Sequence, residues 1–234
     1  SFDGTGLGDD SVLWGSEVML ADIHGFTTLA HFSSFKLIGG EQAIKQPVRI
    51  LLALLFEQMS LQHVLTLPIA AIQNLGRHKV MNLYQLWRNN SHCIECRSVS
   101  IEGLPALLPV TLNRLSCTGN QADKAIEPVQ WHSSDFIAQL INHLLTHSQI
   151  TSIKQQICWH FIHAISQQVN QVAQQYPQLP QVFCGGVFQN KLLLSQCLDD
   201  CRQGGRHVLP SGHIPINDGG IALGQLWYAI HHMA

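Results

Sequence analysis

Gln181-Val-Phe-Cys-Gly-Gly-Val-Phe-Gln-Asn190, a polar helical stretch, and then Ile214-Pro-Ile-Asn-Asp-Gly-Gly-Ile-Ala-Leu-Gly-Gln225 decide how the rest of this chain is read. The apolar run Val182–Cys184 enters the Gly185-Gly186 pair, and the chain returns as a helix from about Asn190. That is the pattern of a buried strand feeding a glycine turn. Neither glycine carries a Cβ, so a phosphate can approach the main chain, with its N–H groups aimed outward and the helix N-terminus behind it. Beyond the helix, Asp218 precedes Gly219 and Gly220 in a second glycine turn. Asp218 supplies the hard oxygen that a divalent cation takes. The same residues also admit an architectural reading, in which Gly185-Gly186 ends a strand and Asp218 caps a helix.

Working outward, the helix after Asn190 spans Lys191–Cys201 and stops at Gly204-Gly205. Asp199-Asp200 beside Cys197 and Cys201 argues against a reactive thiol there. Val208-Leu209 reads as a short strand, and Gly220–Met233 as a terminal helix anchoring the sheet. At the other end, Phe2-Asp3-Gly4-Thr5-Gly6-Leu7-Gly8-Asp9-Asp10 reads as a glycine-rich acidic turn. Val12–Trp14 and Val18–Leu20 follow as a strand pair across Gly15. Gly4 and Gly6 let a phosphate come close, and a carboxylate beside them such as Asp3 can hold its cation. A plain hairpin with Asp9 and Asp10 as turn residues fits as well.

"FCGGVFQNKLL" (183–193), "IPINDGGIALGQ" (214–225) and "SFDGTGLGDDSVLWGSE" (1–17) together resemble the C-terminal end of the hydrogenase-maturation carbamoyltransferases (HypF). The resemblance lies in the domain they share with the tRNA threonylcarbamoyl-transferase (TsaD-like) enzymes. It implies an α/β fold of the actin-like ATPase and sugar-kinase type, helix-rich with a mixed sheet. Residues 1–234 would be the C-terminal portion of that domain, truncated on its N-terminal side. The parent would also carry an acylphosphatase-like domain, zinc-binding modules and a YrdC-like domain.

The activity so implied consumes carbamoyl phosphate and ATP. It forms a carbamoyl-adenylate with release of AMP and pyrophosphate, and passes the carbamoyl group to the C-terminal cysteine of HypE for the cyanide ligands of nickel–iron hydrogenase. Asp3 and Asp218 would be catalytic and metal-binding, completed by histidines of a motif upstream of Ser1. Gly4, Gly6, Asp9, Gly185, Gly186, Asn190, Gly219 and Gly220 would hold the ATP or adenylate. Where the family has Ser-Cys-Gly-Arg-Leu-Phe-Asp and Tyr-Glu-Gly-Glu-Ala-Ala, this chain has Cys96–Glu102 and Cys117–Ala122. Of these, Glu102 and Gly119 are carried over as nucleotide contacts. The fragment is expected to be inactive alone, since half the metal shell is absent. Two other readings remain open: an ATPase or kinase-type module yielding ADP and phosphate, and a non-catalytic interaction domain with a decayed nucleotide site.

The middle of the chain is helical in texture. Gln42–Met59 places Ile44, Val48, Leu51, Leu52, Leu55 and Met59 on one face, with Pro47 in the first turn. Gly76 separates helices over 69–75 and 80–87. Two long helices follow, one capped at Ser133 with an apolar stripe from Phe136 to Leu145, the other carrying Ile153, Ile157, Phe161, Ile165 and Val169. His143 and His147 read as ordinary helix-face residues. Cys93-x-x-Cys96 lacks the second ligand pair of a zinc site and reads as packed thiols.

Composition sets the outer bounds. The 234 residues are 46% hydrophobic and only 12% charged, with a net charge of −2. That is a low charge for a free-standing domain, and it suits an excised piece of a larger protein. No basic footprint for nucleic acid is present. Seven cysteines without a framework pattern indicate a reducing, cytoplasmic compartment. Neither a signal peptide nor a membrane helix is recognisable. The opening on Ser1, within a motif, leads us to expect a larger parent.

Overall fold

A computed structural model describes residues 1–97, 129–131 and 151–232. Glu102, Gly119, Ser133, Phe136, His143 and His147 lie outside the described residues.

The fold is α/β with mixed sheets. Strands β1 (Phe2–Leu7), β2 (Leu13–Ser16), β5 (Phe35–Ile38) and β6 (Cys93–Cys96) form one sheet in the order β1-β2-β6-β5. Within it β2 and β6 run parallel, and the other pairs are antiparallel. Strands β3 (Val18–Ala21), β4 (Phe26–Phe32) and β7 (Val129–Trp131) form a second sheet, order β3-β4-β7, with β4 and β7 parallel. The glycine-rich stretch at the N-terminus is therefore strand β1, with a turn only at 8–12. Moreover, β2 and β3 do not pair with each other as expected. The chain changes sheets at Glu17, and the Ser16 hydroxyl ties them by accepting from the Phe32 amide at 3.0 Å.

The stretch 42–59 is not one helix. Helix α1 (Glu41–Lys45) stops at Gln46, whose φ of −130° is not helical, and α2 (Val48–Gln58) starts afresh after Pro47. Proline has no N–H to donate back to the preceding turn, so the break falls there. Nor is α2 one-sided. Ile50, Leu51, Leu52, Leu54, Leu55 and Phe56 are all buried, because β5 lies on one side and α5 (Arg77–Arg88) on another. At roughly 2 kcal/mol per large side chain, burial contributes on the order of 10 kcal/mol, far beyond α2's intrinsic helical preference.

Between α2 and α5 run α3 (Leu61–Thr66), capped by Ser60, and α4 (Ala70–Leu75). As anticipated, Gly76 at φ +83° separates α4 from α5. Helix α6 (Thr151–Ala173) packs on α7 (Lys191–Gln203). Helix α8 (Ile221–His232) closes the chain. Among the described residues no helix is long and apolar enough to cross a membrane.

Candidate functional site

The three motifs meet at Gly185-Gly186. The Phe2 amide of β1 donates to the Cys184 carbonyl at 2.8 Å, and the Gly185 amide donates to the Ile216 carbonyl at 2.5 Å. Asp3 Oδ1 accepts from its neighbour Gly4 at 2.7 Å and from the Gly186 amide at 3.4 Å. Phe188, in the 3-10 turn Gly186–Gln189, stacks on Phe2 with ring centroids 5.3 Å apart and also touches Phe183. Asp3 is thus held at the turn directly. Asp218 is held through Ile216, two residues before it. The aromatic clamp of Phe2 and Phe188 was not foreseen, although both residues stand inside the motifs.

The geometry corrects several expectations. Val182–Cys184 is not a buried strand: Gln181 makes a single parallel bridge to Val208, and Val182 is 59% exposed. Val208-Leu209 is reduced to that same bridge. The segment's polar groups turn instead to Phe2 and Ile216. The glycine amides are not aimed outward either. Besides the two already named, Gly219 donates to Asn217 Oδ1 at 3.1 Å and Gly220 to the Asn217 carbonyl at 2.9 Å. Asn217 therefore performs the capping that one reading gave Asp218, and Asp218 stands exposed in the 3-10 turn Asp218–Gly220.

The missing Cβ of Gly185 serves a protein contact. A Cβ built there would lie 2.0 Å from the Phe2 carbonyl oxygen. At 3.4 Å the Gly186–Asp3 contact is the longest of these bonds, so Gly186 is the donor best placed to turn to an incoming oxygen.

Asn190 caps α7, accepting from Leu192 at 3.1 Å and Leu193 at 3.4 Å. Gly4 and Gly6 lie within β1, and Asp9 is exposed in the β1–β2 turn. Its neighbour Asp10 fastens that turn, accepting from Val12 and Trp14 and pairing with Arg97. Burial works to raise the Asp10 carboxyl, but the Trp14 and Val12 bonds and the Arg97 charge hold it below its ordinary value. Beside the glycine turn lies a cavity of about 510 Å³ lined by Phe183, Leu194, Leu198, Arg206, Val208 and Ile216 among others.

Asp3 and Asp218 suit a hard divalent cation as oxygen donors. Among the described residues no three His, Cys, Asp or Glu side chains gather to hold one. Asp3 Oδ1 already accepts from the Gly4 and Gly186 amides, while Asp218 stands exposed. Three cysteines are structural in setting: Cys96, Cys197 and Cys201 are buried, and burial pushes Cys197 up to about 12. Cys93, Cys184, Cys197 and Cys201 form no disulfide.

The family model described as "Carbamoyltransferase, Kae1-like Domain, second subdomain" matches residues 1–100 and 96–225. The chain belongs to this carbamoyltransferase family. Carbamoyltransferase HypF of Synechocystis is 27% identical over 97% of the chain and 33% of its own length. HypF2 of Cupriavidus necator is 25% identical over 98% of the chain and 33% of itself. The probable carbamoyltransferase HypF of Methanocaldococcus jannaschii is 24% identical over 96% of the chain and 31% of itself. The chain thus spans about a third of the curated HypF relatives it matches.

Two crystal structures share the fold. Full-length HypF in its phosphate- and nucleotide-bound form superposes with a TM-score of 0.76 at 20% identity, over 98% of this chain and 38% of that one. T. kodakarensis HypF gives 0.73 at 18% identity, over 97% of this chain and 32% of that one.

Proposed function

We propose that this chain is the portion of a HypF-type enzyme, of actin-like fold and in the cytoplasm, that passes a carbamoyl group from carbamoyl-adenylate to the C-terminal cysteine of HypE. Carbamoyl phosphate and ATP are consumed elsewhere in the parent, with release of AMP and pyrophosphate. The observation that carries this reading is the meeting of Asp3, Gly186 and the Ile216–Asp218 segment at one turn. Family membership supports it, as does the bound phosphate and nucleotide in a HypF protein of the same fold.

In the transfer, the incoming thiolate attacks the carbamoyl carbon. A C–S bond forms, the bond to the adenylate oxygen breaks, and AMP leaves. The nucleophile comes from the partner, in keeping with the inert setting of Cys96, Cys197 and Cys201. Asp3 and Asp218 would hold a divalent cation together with histidines from outside this chain. When bound, that cation supplies Lewis-acid polarisation of the carbonyl or neutralises the phosphate. The Gly186 amide offers a hydrogen bond to the phosphate, and the Phe2–Phe188 clamp keeps that amide beside Asp3.

The test is carbamoyl transfer by the full-length parent, followed by the mass of the HypE C-terminal peptide and by AMP release. Asp218→Asn is expected to lower transfer by about hundredfold or more. The 234-residue chain alone is expected to transfer nothing. Release of ADP and phosphate instead of AMP, or an unchanged rate in Asp218→Asn, would overturn the reading.

A further inference from the structure

Glu17 is a buried carboxylate that the proposed transfer leaves unused. It is 3% exposed and stands where the chain passes from β2 to β3. Its Oε2 accepts from the Ser16 amide at 2.8 Å, and Oε1 has no hydrogen-bond partner among the described residues. Burial raises the carboxyl above its ordinary value, against the lowering pull of the Ser16 and Gly15 amides. A buried carboxyl satisfied at one oxygen only costs stability, so on stability alone an apolar side chain would serve better.

What Glu17 holds is the end of β1 that carries Asp3. The Ser1 nitrogen donates to the Glu17 carbonyl at 2.7 Å, and the Glu17 amide donates to the Ser1 carbonyl at 3.1 Å. Phe2 stands opposite Ser16, but the next regular pair is Gly6 with Trp14, because the register shifts between Phe2 and Gly6. Asp3 lies inside that irregular stretch, so its place is set from the Ser1–Glu17 and Phe2–Ser16 pairs. In an antiparallel ladder Ser16, next to a hydrogen-bonded pair, turns its amide away from β1. There β6 meets β2 at Leu13–Cys96, three residues short of Ser16, and the Glu17 carboxylate takes the Ser16 amide instead. The Ser16 hydroxyl is fastened in turn by the Phe32 amide of β4. Phe2 then reaches Cys184 and Phe188 from the opposite edge of β1.

We propose that Glu17 is a positioning residue of the transfer: by holding Ser16 it fixes the register of Ser1 and Phe2, and so sets Asp3 beside the Gly186 amide. The inference rests on the carbamoyl-transfer reading, and it goes beyond that reading in placing a second carboxylate, far from the glycine turn, in control of the first.

The protein from the full reading frame tests it, through the kcat and KM of transfer to HypE and through hydrogen exchange. Glu17→Ala is expected to lower kcat about tenfold, with KM changed by less than about twofold, because Asp3 is displaced while the acceptor's binding is not. Exchange of the 183–189 amides should rise about tenfold in the same variant, with no change in α2. Glu17→Gln keeps an oxygen for the Ser16 amide and should restore both readings to within about threefold of the parent. Three results would overturn the proposal: an unchanged kcat in Glu17→Ala, a Glu17→Gln as slow as Glu17→Ala, or exchange that rises equally in 183–189 and in α2, which marks a general loss of stability. If the unsubstituted protein releases ADP and phosphate, the carbamoyl reading falls, and the exchange of 183–189 in the two variants still upholds or overturns the positioning.

Discussion

Substituting Gly185 by alanine asks whether the glycine turn is built around β1. Gly185 has φ +103° and ψ 155°, a region open essentially to glycine, where a side chain costs about 1–3 kcal/mol. The added Cβ would also sit 2.0 Å from the carbonyl oxygen and 2.5 Å from the carbonyl carbon of Phe2. Backbone cannot yield as a flexible side chain can. Relief therefore means moving the turn itself away from β1 and from the Ile216 segment, which gives up the Phe2–Cys184 and Gly185–Ile216 hydrogen bonds at about 1 kcal/mol each. The total is roughly 4 kcal/mol, a large part of an ordinary domain's stability of about 5–15 kcal/mol.

Gly205→Ala is the control. Its φ is +63°, but a Cβ there meets nothing within 4 Å, so only the backbone term of about 1–2 kcal/mol remains. Urea unfolding of the 234-residue chain, followed by far-ultraviolet circular dichroism, measures both. With a slope near 2 kcal/mol per molar, Gly185→Ala should lower the midpoint by roughly 2 M and Gly205→Ala by less than about 1 M. Equal effects of the two substitutions would refute the packing of Phe2 against Gly185.

Two further outcomes follow from single side chains. Asn190→Ala should destabilise the chain by about 1 kcal/mol and Asn190→Ser by much less, because serine restores an acceptor for the α7 amides; chemical denaturation of both variants checks this. Burial pushes the His31 imidazole below its ordinary value, and its Nδ1 pairs with the Phe32 carbonyl at 2.8 Å. Below pH 6.5 the unfolded chain then binds a proton that the folded chain refuses, so stability falls as pH drops towards the lowered value. His31→Leu should remove a slope of at most about 1.4 kcal/mol per pH unit, seen as the difference between unfolding free energies measured from pH 7 downwards. A difference that does not change with pH would refute it.

Much of the site was legible because its signals are local. Glycine spacing, the acids beside it and the cap at Asn190 follow from what neighbouring residues impose on the chain, and the structure finds Asn190 on its helix and Gly76 at its break. The α2 stripe misled because periodicity reports which faces are apolar, and a helix enclosed on several sides has no polar face to reveal. The β2–β3 pairing misled because adjacency along the chain says nothing about which sheet a strand joins.

The sequence by itself determined the three motifs, the carbamoyltransferase resemblance and the helical middle, all carried by residues close in the chain. Only the tertiary structure decided that β1 lies against Gly185, that Ile216 takes its amide, that Asn217 and not Asp218 does the capping, and that α8 stands clear of the core. Each of these is a contact between distant segments, settled by which backbone groups and apolar faces find partners once the chain has folded.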